Sequence, residues 1–364
     1  MSANTANPAS NLHGHCFTPD RRWSARMELD FAVRQGRTTL TKMQFSGPLR
    51  VQRPFYPEAA PVNAPGPSHW RAQASQPCHC CLLHPPGGLV SGDDLSLAVR
   101  LEQGAHALLT APSASKFYAA DAHNVAQRQT TDINVAGGML EWLPRETIIY
   151  DGARAEMRTS VELDNASACI GWEMICLGRP AANECFTHGS VRQSLMLTRE
   201  GLPLLHEVLR FEGGDALQKC ACGLGDQAVS ATLFAVGRAT DEGQDLAALE
   251  DCCATLQNML SPNRDFDDAP DGTPDEAPDD APDDAFGGPN PVTGDSSVQA
   301  RPVPLSAHMG ERAGATVRGG VLVVRYLGPD MEEARTLLLT AWNLLRPALT
   351  GCPPHMPRIW YGAF

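Results

Sequence analysis

Apolar and polar positions alternate with a period of two in a series of short segments between residues 40 and 211. This period places every second side chain on the same face, as in a half-buried β-strand. The predicted strands are Leu40–Val51, Leu95–Leu101, Ala105–Ala111, Ala126–Val135, Met139–Leu143, Ala155–Leu163, Ile170–Leu177, Val191–Thr198 and Pro203–Phe211. Turn-forming residues separate them, as at 102–104, 136–138 and 164–165. The pattern predicts a β-sandwich, a barrel or a coiled stack of sheets.

Towards the C-terminus the pattern changes to β-α-β-α. Ala231–Gly237 is predicted to be a strand, and Asp245–Leu260 places apolar residues on one face of a helix. Val317–Leu327 is predicted to be a second strand, with a bulge at its Gly-Gly pair. The fold class that follows is mainly β (α+β), with two helices in the C-terminal part.

The last helix has the clearest boundaries in the sequence. Asp330 is expected to cap its N-terminus, and Glu333 is expected to close a capping box. Pro347 is expected to end the helix, because proline lacks an amide N–H.

Two segments lie outside this periodic pattern. Residues 1–36 are polar and aperiodic, which predicts a flexible N-terminal arm before a single domain at 37–364. Residues 262–300 interrupt that domain with repeated Ala-Pro-Asp units, whose like charges and lack of apolar surface predict a disordered insertion. The insertion is interpreted as a tolerated surface loop, with loose cation binding by its aspartates as the alternative.

The charge of the chain excludes several classes of partner. The formal net charge is -13, and much of the excess lies in the acidic insertion, so broad binding to nucleic acid or to anionic lipid is not expected. No run of about 18 apolar residues and no signal-like N-terminus is present. The chain is therefore predicted to be cytoplasmic, with most of its 12 cysteines as reduced, buried thiols.

Cysteine and histidine are densest at residues 78–84, with the sequence CHCCLLH. This density favours a thiolate–imidazole metal site. In a strand, however, Cys78 and Cys80 share one face and His79 and Cys81 share the other, so neither face has four ligands. Whether any cysteine binds a metal stays open at this point.

Several other residues are candidates for a role in function. Asp93 follows a glycine-rich turn, and Glu173 lies inside an apolar strand, where an unpaired carboxylate costs free energy. Trp142 is interpreted either as a core residue or as an interface anchor. Lys116 is one of few lysines, with a plain exposed residue as the favoured interpretation. No nucleophile elbow, phosphate loop, dinucleotide fingerprint or HExxH helix is present, so no catalytic residue and no enzymatic activity are predicted.

The chain resembles the urease accessory protein UreD family, also called UreH, from about residue 40 to residue 360. The segments that carry the resemblance are LLHPPGGLVSGD, APSASKFY, EWLPRETIIYDGA, GWE, CLGRPAANECFTHG, PLLHEVL and RYLG…AWNLLRPALTG…PRIW. The acidic insertion and the long N-terminal arm depart from the family pattern. The resemblance implies stacked β-strands that form a coiled β-solenoid with two helices.

In function, the resemblance implies a scaffold or chaperone that assists nickel insertion into urease. Its implied partners are UreF, the GTPase UreG acting through UreF, and the urease apoprotein, with nickel delivered by UreE. No tightly bound cofactor is implied, since nickel would be bound only in transit.

An internal path for nickel is also implied by the resemblance. It assigns that path to Asp93, Glu173 and Glu207, with Ser115 near the same route. A cation that must move on needs carboxylates spaced along a polar lumen, because a four-ligand cage would trap it. For Asp93 and Glu207, capping of turns or ordinary salt bridges is the competing interpretation.

Two other functions remain open on the residues alone. One is a carbohydrate-active β-solenoid enzyme that uses two of these carboxylates as acid and base. The other is a β-rich interaction module without a metal role.

Overall fold

The computed structural model describes residues 21–59, 75–240, 243–261, 305–306 and 308–360. In chain order the strands are β1 (Trp23–Arg34), β2 (Arg37–Ser46), β3 (Arg50–Val51), β4 (Cys78–Leu83), β5 (Asp93–Leu101), β6 (His106–Thr110), β7 (Ser115–Phe117), β8 (Gln127–Val135), β9 (Met139–Leu143), β10 (Thr147–Ile149), β11 (Arg154–Leu163), β12 (Ala168–Leu177), β13 (Ser190–Arg199), β14 (Leu202–Glu212), β15 (Val229–Val236), β16 (Ala313–Arg318) and β17 (Val321–Gly328). The α-helices are α1 (Ala216–Lys219), α2 (Gln244–Leu260), α3 (Met309–Arg312) and α4 (Met331–Thr350), and short 3-10 helices cover Pro180–Ala182 and Arg358–Trp360. The mainly β fold predicted from the sequence is confirmed.

Across the described ranges the strands form two sheets. The seven-stranded sheet has the order β14-β13-β11-β8-β5-β1-β2. The ten-stranded sheet has the order β16-β17-β15-β12-β9-β6-β4-β3, with β10 beside β12 and β7 beside β10.

The chain passes repeatedly from one sheet to the other. β1, β5, β8, β11 and β13 are parallel neighbours in the seven-stranded sheet, and β4, β6, β9 and β12 are parallel neighbours in the ten-stranded sheet. Strands joined by such a crossing therefore lie in opposite sheets, whereas pairs such as β1 and β2, or β13 and β14, are consecutive strands of one sheet. This arrangement is a stack of parallel coils, which explains why the half-buried pattern of period two repeats along the chain.

The connections between facing strands stack on one another at one end of the coils. Ala136 N–H donates to Leu101 O at 2.9 Å, and Gly104 N–H donates to Gly137 O at 2.8 Å. Gly137 has φ +68°, and a Cβ there would lie 2.0 Å from Gln103 Oε1. The positive φ favours glycine at this position, whereas the Gln103 side chain could move away from a Cβ. The turns predicted at 102–104 and 136–138 are confirmed.

Three layers result from this topology. One apolar core lies between the two sheets and includes Phe31, Leu109 and Phe117. A second core lies between the other face of the ten-stranded sheet and the helices α2 and α4, where Leu256 and Trp342 are fully buried. The strands of the ten-stranded sheet are thus covered on both faces.

The predicted arm at residues 1–36 is wrong for its second half. β1 runs along Trp23–Arg34 and pairs with both β2 and β5. Ala25, Met27, Leu29 and Phe31 alternate into the core between the sheets, so this segment has the same period of two as the later strands. Residues 1–20 lie outside the described residues, as does the predicted insertion at 262–300.

The predicted strand Val317–Leu327 is two strands. Gly319 and Gly320 have φ +59° and +78°, and they form the two-residue turn between β16 and β17, which pair as a hairpin. Positive φ at both central positions is typical of a type I′ turn. The Gly-Gly pair is therefore a hairpin turn and not a bulge.

Helix α4 begins where the sequence predicts but is longer than predicted. Asp330 Oδ1 accepts from Glu332 N–H at 2.7 Å, whereas the Glu333 carboxylate binds Arg312 and the Tyr326 hydroxyl, so the capping box is wrong. Pro347 lies inside the helix, which ends at Gly351 with φ +68°. Burial of the last turn against the core retains the helix beyond the proline. None of the helices among the described residues is long and apolar enough to span a membrane.

Candidate functional site

A cavity of about 510 Å³ lies between the two sheets. One wall is formed by side chains of β1, β5, β8, β11 and β13, and the other by β4, β6, β9 and β12. Polar groups interrupt the apolar lining, among them Ser115, Gln129, Thr131, Thr159 and Glu173. The interior therefore offers hydrogen-bonding groups to a polar guest.

The ten-stranded sheet opens beside this cavity. β6 ends at Thr110 and β7 begins at Ser115, and β9 ends at Leu143 and β10 begins at Thr147. Along β12, pairing with β9 ends at Gly171, and pairing with β10 starts at Ile175.

Glu173 lies in this stretch of β12, which pairs with β15 but with neither β9 nor β10. Its carboxylate oxygen Oε2 accepts a hydrogen bond from Gln193 Nε2 at 2.6 Å, across the space between the sheets. Burial raises the pKa of Glu173, hydrogen bonds from Thr159 and Gln193 oppose this shift, and the charge of Glu207 adds to it. Glu173 is thus a carboxylate with neutral hydrogen-bond partners and with a second carboxylate nearby.

A second cavity, of about 350 Å³, continues on the other side of Glu173. Glu173 and Gln193 line both cavities, so their hydrogen bond lies at the junction. Glu207, Thr232 and Arg325 line the second cavity. The two predicted acidic residues Glu173 and Glu207 therefore line the same cavity, and Glu173 also lines the adjacent larger one.

Glu207 is tied to the opposite sheet. It lies on β14 opposite Leu195 of β13, and its carboxylate accepts from Arg325 Nη2 and from Thr232 Oγ1, the latter at 3.4 Å. Thr232 is the partner in register of both Glu173 and Arg325 in the ten-stranded sheet. Glu207 makes a salt bridge, as the competing interpretation expected, and it also lines the cavity.

Asp93 and His84 lie near one another at the start of β5. The Asp93 carboxylate accepts from Val90 N–H at 2.9 Å, so it closes the glycine-rich turn. Burial raises the pKa of Asp93, although that hydrogen bond and His84 oppose the shift. His84 lines the larger cavity, whereas Asp93 is outside the lining residues. Asp93 is therefore near the cavity and has a structural role in the turn.

The other candidates are distributed around the same cavity. Ser115 lines it, and Lys116 directs its backbone carbonyl to Leu89 N–H at 2.7 Å without lining the cavity. Trp142 is 5% exposed and belongs to the core between the sheets. Its indole nitrogen Nε1 is buried and meets no acceptor among the described residues. Because buried N–H groups are almost always paired, this donor is available to a polar guest of the cavity that Trp142 lines.

Glu141, an acidic residue compensated by several donors, was not among the candidates predicted from the sequence. It lies on β9 and is 0% exposed. Its carboxylate accepts from His106 Nε2 at 2.7 Å, from Trp342 Nε1 at 2.6 Å and from Arg346 Nε at 3.0 Å. Despite burial, the positive charge of Arg346 and the hydrogen bonds hold the pKa of Glu141 well below its usual range. In the sequence, Glu141 could have been recognised as an acidic residue inside the apolar segment MLEWL.

A second carboxylate completes this buried network. Glu58 accepts from Arg346 Nη2 at 2.7 and 2.8 Å and binds His79 Nε2 at 2.6 Å. Burial opposes ionisation, but these hydrogen bonds and charges lower the pKa of Glu58 overall. The network joins helix α4 to the ten-stranded sheet and to residue 58, so its role is to hold the helix layer on the sheet.

The cysteine-rich segment forms β4, with Cys78 and Cys80 on one face and their Sγ atoms 3.9 Å apart. All cysteines among the described residues are free thiols, and most are buried, as predicted. No three His, Cys, Asp or Glu side chains in the described ranges are grouped so that they could hold a metal ion. Neither β4 nor the acidic cavity therefore contains a ready-made metal cage.

Comparison with known proteins places these features in a family. Residues 24–361 match the family model described as UreD urease accessory protein. The urease accessory protein UreD of Chromohalobacter salexigens is 37% identical over 348 residues, covering 95% of this chain and 91% of that protein. UreD of Marinobacter nauticus is 36% identical over 364 residues, covering 98% and 99%. UreD of Pseudomonas putida KT2440 is 35% identical over 341 residues, covering 94% and 95%.

The match begins at the first residues of β1 and ends at the residue after the C-terminal 3-10 helix, so it includes both sheets, the cavities and α4. The relatives are named as accessory proteins and not as enzymes. The chain belongs to the UreD family of urease accessory proteins.

Proposed function

We propose that this protein is a urease maturation factor that conducts nickel through the two connected cavities between its sheets. In this proposal it binds UreF, and through UreF the GTPase UreG, and the complex assembles on the urease apoprotein. Nickel supplied by UreE would enter the cavities as cargo and leave towards the urease metallocentre. The observation that carries the proposal is the position of Glu173 at the junction of both cavities.

The spacing of the acidic residues supports conduction over storage. Glu173 and Glu207 lie on opposite sheets, and Gln193, Thr159 and Thr232 provide neutral oxygen or amide groups beside them. A cation held by one or two carboxylates plus water leaves more easily than one held by four protein ligands. Selective transport requires binding that is favourable enough for entry and weak enough for release.

The charge balance at Glu173 also supports a cation as the guest. Two carboxylates lie near one another, and Arg325 neutralises Glu207 only. A divalent cation at the junction would offset the cost of burial and the smaller repulsion from Glu207, which both raise the pKa of Glu173. Cation binding would compete with protonation of Glu173, so cation affinity would fall as the pH decreases through this raised pKa.

The proposed route uses groups that line the cavities or lie beside them. His84, Ser115 and the Trp142 indole line the larger cavity, and Asp93 lies near His84. Glu173 also lines the second cavity, which Glu207 lines as well. His84 is an additional candidate ligand on this route, since an imidazole is a good nickel ligand. Its signal in the sequence was the histidine that precedes the Pro-Pro-Gly-Gly turn.

The proposal is tested by co-expression of urease and the other accessory proteins with this chain or with Glu173→Gln/Glu207→Gln. We expect unchanged complex formation with UreF and the urease apoprotein, with nickel content per urease active site lowered about tenfold or more, as for loss of a charged ligand pair. The control is Glu156→Gln. It removes an exposed carboxylate on β11 that forms an ion pair with Arg128 of β8.

Equal nickel loading with the double variant would exclude conduction through the junction and would favour an interaction module without a metal role. Equal loading without this chain would exclude the maturation function itself. Loss of UreF binding in the double variant would instead assign Glu173 or Glu207 to the assembly surface.

A further inference from the structure

A turn after α1 presents two thiols side by side at the surface. Cys220 and Cys222 are separated by one alanine, and their Sγ atoms lie 3.3 Å apart. Cys222 is exposed and Cys220 is half-buried. This pair lies on the connection between β14 and β15 and is not among the cavity-lining residues.

Backbone hydrogen bonds fix the turn that carries these thiols. Cys220 N–H donates to Ala216 O, and Gly223 N–H and Gly225 N–H both donate to Cys220 O, each at 2.9 Å. Leu224 N–H donates to Leu217 O at 2.9 Å, and its side chain is 5% exposed. The main chain is thus ordered by contacts that do not involve the sulfur atoms, so the two thiols are held near each other.

We propose that Cys220 and Cys222 form a reversible dithiol–disulfide pair that exchanges with low-molecular-weight disulfides such as oxidised glutathione. The pair needs only side-chain rotation and a small adjustment of the turn to shorten the Sγ–Sγ distance to a bond of about 2.05 Å. A disulfide between residues two apart closes a small, strained ring, and strained exposed disulfides are the easily reduced ones. The disulfide is therefore expected to form and open within the range of glutathione redox buffers.

The reaction has two exchange steps. The Cys222 thiolate, which is the more accessible, attacks one sulfur of oxidised glutathione, forms a mixed disulfide and releases one glutathione thiolate. The Cys220 thiolate then attacks Cys222 Sγ and releases the second glutathione thiolate. Two protein thiols are oxidised to one disulfide, and one glutathione disulfide is reduced to two thiols that take up the two protons.

The chain contains a matched pair that should not react. Cys78 and Cys80 have the same spacing, with Sγ atoms 3.9 Å apart, but both are 0% exposed on β4. Neither sulfur is accessible to a soluble disulfide, and strand geometry fixes both side chains. The two cysteine pairs have the same spacing in sequence, so a difference in their reactivity would come from exposure and turn geometry.

The test is equilibration of the full chain in mixtures of reduced and oxidised glutathione, followed by acid quenching, alkylation in denaturant and peptide mass spectrometry. We expect the peptide with Cys220 and Cys222 to lose both alkylation sites and to regain them with dithiothreitol. The peptide with Cys78 and Cys80 should stay fully alkylated. In Cys220→Ser, a glutathione adduct on Cys222 should exceed that of the unmodified chain about tenfold, because the resolving thiol normally acts at millimolar effective concentration.

Two results of the glutathione experiment would overturn the proposal. One is full alkylation of both turn cysteines in excess oxidised glutathione. The other is an equal glutathione adduct on Cys222 in the unmodified chain and in Cys220→Ser. Circular dichroism of Cys220→Ser and Cys222→Ser checks that the fold is retained, and Cys185→Ser tests whether the exposed Cys185 contributes in place of Cys220. If Cys185→Ser prevented loss of the two alkylation sites, the pairing would be wrong.

Discussion

Glu141 and Glu173 are acidic residues inside apolar stretches of neighbouring strands, yet they face opposite sides of the same sheet. Glu141 faces helix α4. Arg346 and Trp342 of this helix and His106 of β6 donate to its carboxylate. Glu173 faces the cavity between the sheets and has neutral hydrogen-bond donors. The pKa of Glu141 is lowered by its partners, whereas burial raises the pKa of Glu173.

This difference separates a structural carboxylate from one that is available to a guest. A buried charge that already has a cationic partner gains little from a second cation. A partly buried carboxylate without a cationic partner, such as Glu173, is unfavourable, and a cation would relieve that cost. The protein therefore uses one residue type for opposite purposes on the two faces of one sheet.

The largest effect is expected for Arg346→Met. This change leaves Glu58 and Glu141 buried without the guanidinium between them, and breaking a buried ion pair from one side costs about 3–5 kcal/mol. Urea denaturation should show this loss in the free energy of unfolding. The control is Arg158→Met, whose exposed pair with Asp132 should contribute less than about 1 kcal/mol. Similar losses for the two variants would contradict the distinction between the faces.

Glu141→Gln and Glu173→Gln should have different effects on the free energy of unfolding at pH 7. The first variant weakens the hydrogen bonds from Arg346 and Trp342 and should lose about 1–3 kcal/mol of unfolding free energy. The second removes an uncompensated buried charge, so the free energy of unfolding should stay the same or rise. Thermal or urea denaturation of both proteins in the same buffer measures the difference. A loss for Glu173→Gln as large as that for Glu141→Gln would mean that Glu173 is also structural.

The two variants should also show opposite pH dependence. The folded-state pKa of Glu173 is raised, so protonation of this residue stabilises the native state below its ordinary value of 4.5, and that contribution is lost as the pH rises. The pKa of Glu141 is lowered from 4.5, so its contribution is present above that value and is lost as the pH falls through the folded-state pKa. Unfolding free energies from about pH 2 to about pH 8 should therefore show the benefit of Glu173→Gln only at the higher pH and the deficit of Glu141→Gln shrinking as the pH falls below 4.5. Parallel curves would contradict this assignment.

The smallest effect is expected for Asp93→Asn. Asparagine keeps an oxygen that accepts from Val90 N–H, so stability should change by less than about 1 kcal/mol. If Asp93 contributes charge to the entrance of the nickel route, nickel loading of urease should fall in the co-expression assay without any change in stability. Unchanged loading would restrict Asp93 to its role in the turn.

Much of the fold follows from local patterns. Met139–Leu143 has the predicted bounds of β9, and Leu95–Leu101 lies within β5, because alternation of apolar residues indicates a strand with two different faces. The glycine-containing turns between strands were also predictable. β1 was not predicted. Its alternating apolar residues follow a polar N-terminal segment, and residues 1–36 were therefore interpreted together as a flexible arm.

Other local signals were overruled by tertiary contacts. Glu333 binds Arg312 and Tyr326 in place of the cap of its own helix. Pro347 does not end α4, because Leu349 is fully buried against the sheet beyond it. In both cases the contact that decides the structure comes from a residue distant in sequence or from core burial, neither of which a local pattern includes.

The sequence by itself determined that the chain is mainly β, that two long helices alternate with its last strands and that Glu173 is an unusual acidic residue. It could not separate Glu173 from Glu141, because both appear as one carboxylate within an apolar strand. Tertiary structure decided their difference by placing the Arg346 guanidinium on one face of the sheet and an open polar cavity on the other. The physical reason is that the ionisation of a buried carboxyl depends on the charges that surround it in space.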